Sequence, residues 1–172
     1  MLFKKILALG AVFVAGTLPA FAGPYLGGGL GIQNTESYNG LLATFFGGYS
    51  VTLGEEQNGY FAGEIFGDTG SLPLGQNYYR RTNYGFGASL LPGYRFREAI
   101  LLYLRLGVET FRYSRTLQMF TGGQLGLGLQ MDVAKNWALR GEYVYTGEGI
   151  IHNFGYSRFN FFKLGLIYKF TA

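Results

Sequence analysis

The sequence predicts an all-β chain: an eight-stranded antiparallel transmembrane up-and-down β-barrel that follows a signal peptide. Apolar and polar residues alternate in many short segments, which is the pattern of strands with lipid on one side and a polar lumen on the other. Glycine (29 residues) and aromatic residues (18 %) are abundant, whereas charged residues make up 14 %, below the roughly 25 % of soluble domains. After the leader, no apolar run is long enough for a membrane-spanning helix.

The N-terminal segment 1–22 has the anatomy of a secretory signal peptide. Two lysines precede an apolar core at 6–14, and Ala20-Phe21-Ala22 fits a small-x-small cleavage site. A transmembrane helix is the alternative, but the apolar core is short for a span of about 20 residues. We therefore expect one mature barrel domain at 23–172, exported to the bacterial outer membrane.

The first four strands follow from alternation in the first half of the mature chain. The first strand is glycine-rich, the second is long and aromatic, and the third places Glu64 on its inward face. The fourth contains Pro92, which we expect to mark a strand end because proline cannot donate a ladder hydrogen bond. The predicted strands are 25–33, 41–53, 60–67 and 84–94.

The last four strands are predicted in the same way. The fifth places Arg105 and Glu109 inward behind a row of outward aliphatic residues, and the sixth alternates leucine with glycine. The seventh places Arg140 and Glu142 inward, and the eighth alternates large apolar residues with lysines and a glycine. The predicted strands are 101–111, 123–131, 137–145 and 162–170.

The connections between strands alternate in length, and aromatic residues gather near strand ends. Outer-membrane barrels have short periplasmic turns, long outer loops and two aromatic girdles, so we assign the long connections to the outside. The predicted long loops are 34–40, 68–83, 112–122 and 146–158. The predicted girdles are Tyr49, Tyr94, Trp137, Tyr168 and Phe170 on the short-turn side, and Tyr84, Phe86, Tyr145 and Phe159 on the other.

The closing strand resembles the signal that outer-membrane barrels present to their assembly machinery. The residues that fill its places are Lys163, Gly165, Leu166, Tyr168 and Phe170. Together with Leu-Leu-Pro-Gly-Tyr-Arg-Phe at 90–96 and the glycine-rich first strand, they make the mature chain resemble the OmpA-like or opacity-type family of small outer-membrane barrels. The resemblance implies a monomer in the outer membrane, with outer-membrane lipid, lipopolysaccharide and the barrel-assembly machinery as partners.

Seven charged residues are predicted to point into the lumen. An eight-stranded barrel is only just wide enough for its side chains to fill it, and an isolated buried charge is costly. We therefore expect the arginines to pair with the glutamates and form a structural plug; an ion path or small gated pore is the alternative. The predicted lumen charges are Glu64, Arg105, Glu109, Arg140, Glu142, Lys163 and Lys169.

The outer loops carry arginine and tyrosine, which suit binding to anions and to proteins. Guanidinium groups bind phosphate and sulfate bidentately, and both residue types anchor protein interfaces. Arg112 and Arg158 are expected to meet lipopolysaccharide phosphates, whereas Arg80 and Arg81 suit adhesion to host glycans or proteins, as in some opacity-type relatives. The predicted interaction residues are Tyr78, Tyr79, Arg80, Arg81, Arg112, Arg115 and Arg158.

No catalytic, metal or cofactor site is predicted. Lipid A deacylases and palmitoyltransferases share the eight-stranded scaffold, and the deacylases place a histidine two residues before the catalytic serine. Here the only histidine, His152, precedes Phe154 at that spacing, and Ser114 follows Arg112. With no cysteine and one histidine there is no metal motif.

Charge gives no reason to expect nucleic acid as a partner, because the net charge of +4 falls to +2 without the two leader lysines. We expect a non-enzymatic barrel that serves membrane integrity and surface interaction. A lipid A-modifying enzyme remains the main alternative. A soluble lipocalin-type carrier is the other, although it predicts the reverse placement of apolar and polar faces.

Overall fold

A computed structural model of the chain describes residues 22–35, 38–54, 56–70, 72–74, 82–97, 99–113, 119–147 and 158–170. Its strands form one antiparallel sheet, and the first strand pairs with both the second and the last, which closes the sheet into a barrel. Within the described ranges, no helix is long and apolar enough to cross a membrane. The strands are β1 (Ala22–Thr35), β2 (Tyr38–Leu53), β3 (Gly59–Thr69), β4 (Leu72–Pro73), β5 (Thr82–Arg97), β6 (Ile100–Tyr113), β7 (Met119–Ala134), β8 (Trp137–Gly147) and β9 (Arg158–Lys169).

Eight of these strands make up the barrel wall. The exception is β4, a two-residue strand that pairs with Gly40 and Leu41 of β2 beyond the end of β3. Every other strand pairs antiparallel with its neighbours along the chain. The predicted fold class, an eight-stranded antiparallel up-and-down barrel, is confirmed.

Burial alternates along the strands as the sequence pattern predicts. On β8, Ala138 and Arg140 are 0 % and 3 % exposed, whereas Leu139 between them is 47 % exposed. The most exposed large apolar side chains, Leu164 (74 %) and Ile65 (70 %), both lie on the outer face. An apolar outside around a polar inside is the membrane arrangement, and it is the reverse of what a lipocalin-type carrier requires.

The strands extend further at their outer ends than the sequence predicts. β1 and β2 stay paired up to Thr35 and Tyr38, so the expected long loop at 34–40 is wrong. β3 runs to Thr69, which makes Asp68 a strand residue, and β7 begins at Met119 instead of at 123. The alternation of apolar and polar residues ends earlier than the strands do, because residues at the outer rim face less lipid and need not be apolar.

Two further expectations are corrected. Pro92 does not end its strand, because β5 continues to Arg97. The β5–β6 pairing is interrupted between Leu90 and Gly93 and resumes in the same register, so the missing donor interrupts the ladder without ending it. Phe159 does not belong to the outer girdle, because it is 1 % exposed and lies inside the barrel.

Aromatic residues do gather on the outer face at the short-turn end. The rings of Trp137 and Tyr168 meet edge to face with their centres 5.0 Å apart, and Tyr168 meets Phe170 at 5.1 Å. Tyr94 and Phe96 form a similar pair at 5.2 Å. Rings of this kind suit the boundary between hydrocarbon and water.

Candidate functional site

The lumen holds a network of four charged side chains at mid-height that crosses the barrel. Glu64 of β3 accepts hydrogen bonds from Arg105 of β6 and from Arg140 of β8, the latter at 2.5 Å. Glu142 of β8 accepts a second bond from Arg105 at 2.9 Å. Each of the four side chains is at most 5 % exposed. Two positive and two negative charges balance, so the network is neutral.

Neutral polar groups complete the hydrogen bonding of this network. The hydroxyl of Tyr25 donates to Glu64 at 2.9 Å, and the hydroxyl of Tyr103 donates to Glu142. These bonds add β1 to the strands that the network links. Arg105 also donates a hydrogen bond to the hydroxyl of Ser89 on β5 at 3.1 Å. Arg140 donates another to the amide oxygen of Gln130 on β7 at 3.4 Å.

Aromatic rings surround the two guanidinium groups. The central carbon of Arg140 lies 4.6 Å from the centre of the Phe46 ring and 5.3 Å from that of Tyr103. Arg105 lies 5.3 Å from the centre of the Phe66 ring. A cation over the face of a ring is attracted to it, which offsets part of the hydration that these arginines give up.

Inward glycines make room for those rings. A Cβ atom at Gly128 would lie 2.1 Å from the Tyr103 ring, and one at Gly27 would lie 2.3 Å from the Phe46 ring. A side chain at either position would require the neighbouring ring to move. The glycine-rich inner face is therefore filled by aromatic side chains from neighbouring strands.

A second polar layer lies nearer the outer loops. Lys163 of β9 donates to Asp68 of β3 at 2.7 Å. Glu109 of β6 accepts hydrogen bonds from Gln124 at 2.8 Å and from Thr146 at 3.4 Å. Glu109 was expected to pair with the arginines, but it lies four residues along β6 from Arg105, which is roughly 13 Å along a strand.

Apolar side chains pack inside the lumen on both sides of these polar layers. The rings of Phe111 and Phe159 meet edge to face at 5.0 Å near the outer end. The outer cluster comprises Leu42, Phe111, Val144, Phe159 and Phe161. Near the short turns the most buried apolar side chains are Ala62, Leu91, Leu101, Ala138 and Ile167, each at most 1 % exposed.

Lys169 lies at the short-turn mouth of the barrel, away from the buried network. Its ammonium donates to Asp132 at 2.5 Å, and Arg95 donates to the other oxygen of the same carboxylate at 3.1 Å. The three side chains are 19 % to 24 % exposed. This cluster is partly hydrated and links β5, β7 and β9 at the rim.

The predicted outer-loop residues are only partly described. Tyr78, Tyr79, Arg80, Arg81 and Arg115 lie outside the described residues, as does His152. Arg112 is a half-buried residue near the outer end of β6, and Arg158 is the first residue of β9. In the closing strand, Lys163 points inward, whereas Leu166, Tyr168 and Phe170 are exposed on the outer face.

The sequence reasoning missed several residues of the polar layers. Asp68 keeps the same face as Glu64, four residues earlier, so continued alternation would have found it. The alternation of β6 and β7 also places Tyr103 and Gln130 inward, but the sequence does not reveal which residues meet across a lumen. The described part of the chain contains no group of three or more acidic, histidine or cysteine side chains placed to hold a metal ion.

A family model for the outer membrane protein beta-barrel domain matches residues 6–170. The chain belongs to this family. Its place is accordingly the bacterial outer membrane, with the apolar face toward lipid. Comparison with curated protein sequences gives no match.

Solved structures of small outer-membrane barrels share the fold. Ail of Yersinia pestis, solved in complex with the heparin analogue sucrose octasulfate, is 16 % identical with a TM-score of 0.57, over 87 % of this chain and 97 % of Ail. Neisserial surface protein A is 18 % identical with a TM-score of 0.59, over 87 % and 99 %. The N-terminal barrel of Pseudomonas aeruginosa OprF is 10 % identical with a TM-score of 0.52, over 86 % and 98 %.

Proposed function

We propose that this protein is a non-enzymatic, monomeric outer-membrane barrel with a plugged lumen that contributes to membrane integrity and binds surface partners through its outer loops. The observation that carries the proposal is the neutral network of Glu64, Arg105, Arg140 and Glu142, which spans the lumen with almost no exposed side-chain surface. A filled lumen leaves the rim and the loops as the surfaces available to a partner.

Lipopolysaccharide and sulfated host glycans are the proposed partners of the loops. Arg80 and Arg81 stand next to Tyr78 and Tyr79 in one connection, which joins bidentate anion binding to aromatic contact. Arg112, at the outer end of β6, is the proposed contact for lipid phosphate. The structure of Ail with a heparin analogue gives a precedent, in a protein of the same fold, for a sulfated ligand.

Binding of intact cells to immobilised heparin and to serum or matrix proteins tests the surface role. The comparison is between the wild type and Arg80→Ala/Arg81→Ala at matched surface levels. Arg97→Ala/Lys135→Ala is the matched control, because it removes the same charge at the opposite end of the barrel. Loss of binding in the loop variant alone supports adhesion. Absence of binding by the wild type, or equal loss in both variants, contradicts it.

The proposal also excludes lipid A modification. Mass spectra of lipid A from cells with and without the protein are expected to show the same acylation. A change in acyl chain number that depends on expression would instead support the enzymatic alternative.

Export by cleavage near Ala22 is part of the same proposal. N-terminal sequencing of the protein isolated from outer membranes is expected to begin at Gly23. A mature protein that retains Lys4 and Lys5 would contradict the expected cleavage.

A further inference from the structure

The second polar layer of the lumen, which lies nearer the outer loops, has an unbalanced charge. It contains two carboxylates, Asp68 and Glu109, but one ammonium group, that of Lys163, which pairs with Asp68. No side chain in the described ranges forms an ion pair with Glu109, whose hydrogen-bond partners are neutral. The elements around Glu109 contribute Asp68 from β3, Gly85 from β5, Gln124 from β7, Thr146 from β8 and Lys163 from β9.

The two carboxylates line one small enclosed cavity. Its volume, counted as the positions that the centre of a water molecule can occupy, is about 10 Å³. That is enough for one water molecule or one small ion. The Asp68 side chain is 3 % exposed, and its Oδ1 atom has no hydrogen-bond partner among the described residues. The remaining lining residues are Leu42, Thr69, Gly85, Phe111, Phe159 and Phe161.

The missing counter-charge calls for a positive species, and the unpartnered oxygen of Asp68 calls for a donor or a cation. A buried carboxylate without a counter-charge is strongly disfavoured, and so is a buried acceptor without a donor. We propose that the cavity between Asp68 and Glu109 binds one small monovalent cation, taken up either as a proton or as an alkali metal ion. Its binding would balance the charge beneath the aromatic rings of the outer cluster and so stabilise the outer half of the barrel.

Unfolding of the purified, detergent-folded barrel tests this proposal. The unfolding equilibrium constant is measured from about pH 4 to about pH 9, in sodium chloride and in choline chloride of equal ionic strength. The chains compared are the wild type, Glu109→Gln and Asp68→Asn. The control is Glu56→Gln, which removes an exposed carboxylate at a short turn.

A bound proton makes the folded chain carry one more proton than the unfolded chain. The unfolding equilibrium constant then rises with pH, by up to about tenfold per pH unit, from the ordinary carboxyl pKa of about 4.3 to the pH at which the folded carboxyl ionises, so stability falls over that range. The wild type and Glu56→Gln are expected to show this slope, and Glu109→Gln is expected to lose it. Asp68→Asn is expected to lose it too, because one carboxylate then faces one ammonium group.

A bound alkali ion gives a different result. Replacing choline by sodium at alkaline pH would then lower the unfolding constant of the wild type but not of Glu109→Gln. The proposal is overturned if the wild type and Glu109→Gln have the same pH and sodium dependence.

An infrared spectrum of the folded wild type provides a second reading if the variants fail to fold. A carbonyl stretch from a protonated carboxyl group supports proton binding, and a spectral change on sodium addition supports the metal ion. Absence of both signals overturns the proposal.

Discussion

Arg140 shows how a full charge is kept inside a barrel of this width. Its guanidinium group donates to Glu64 at 2.5 Å and to Gln130 at 3.4 Å, and it lies over the rings of Phe46 and Tyr103. A buried ion pair need not stabilise a fold more than apolar packing would, but removing one partner leaves the other charge uncompensated. The network therefore makes the barrel depend on each of its members.

Glu64→Gln is expected to lower the free energy of unfolding by about 3 to 5 kcal/mol, because two buried arginines then share one carboxylate. The exposed substitution Glu56→Gln is the control and is expected to change it by less than about 0.5 kcal/mol. Urea titration of the detergent-folded protein, followed by Trp137 fluorescence, measures both. Equal midpoints for the two variants would show that the network does not hold the barrel together.

The inward glycines leave room for aromatic rings, and a side chain at one of them is expected to destabilise the barrel. Gly128→Val places a side chain where the Tyr103 ring lies and is expected to cost about 1 to 3 kcal/mol in the free energy of unfolding. Gly63→Val is the control, because a Cβ atom at Gly63 meets nothing within 4 Å. The same titration compares them, and a loss for Gly63→Val as large as that for Gly128→Val would contradict the assigned faces.

At the scale of strands, the sequence predicts the face of each residue better than the ends of each strand. Lipid outside and a packed lumen inside impose a strict period of two, so Leu164 and Lys163 could be assigned to opposite faces from the pattern alone. At the rim this constraint weakens, so the sequence pattern assigns Asp68 to a loop although it lies in β3.

The partners inside the lumen were less predictable than the faces. Glu64 and Arg140 are separated by 76 positions and meet because of the stagger between strands, which alternation does not encode. For the same reason Glu109 was grouped with the arginines, whereas its partners are Gln124 and Thr146. Composition predicts that buried charges pair, and the register of the strands decides which ones do.

The outward aromatic residues at the end of the closing strand are expected to be needed for assembly in the outer membrane. Tyr168→Ala/Phe170→Ala is expected to reduce the amount of folded barrel in the outer membrane severalfold, because both residues belong to the proposed assembly signal. The purified variant is expected to refold in detergent, since the substitutions leave the buried network intact. Leu164→Ala is the control, because Leu164 is exposed on the same face of β9 and lies outside that signal. Equal membrane levels for the two variants would contradict the proposed signal.

At the scale of the whole molecule, two apolar clusters enclose two polar layers within one closed sheet. A continuous water path would have to pass the rings of Phe111 and Phe159 and then separate Glu64 from Arg140. We therefore expect the barrel to be a rigid, sealed support for its outer loops. The proposed surface role depends on this seal, because a conducting lumen would move the function from the surface to the interior.

Conductance across a planar lipid bilayer shows whether the lumen is sealed. The protein is reconstituted after its folded state has been verified by a difference in gel mobility before and after boiling. We expect no long-lived conductance steps above those of protein-free membranes. Stable, unitary steps from the folded wild type would contradict it and would favour the pore.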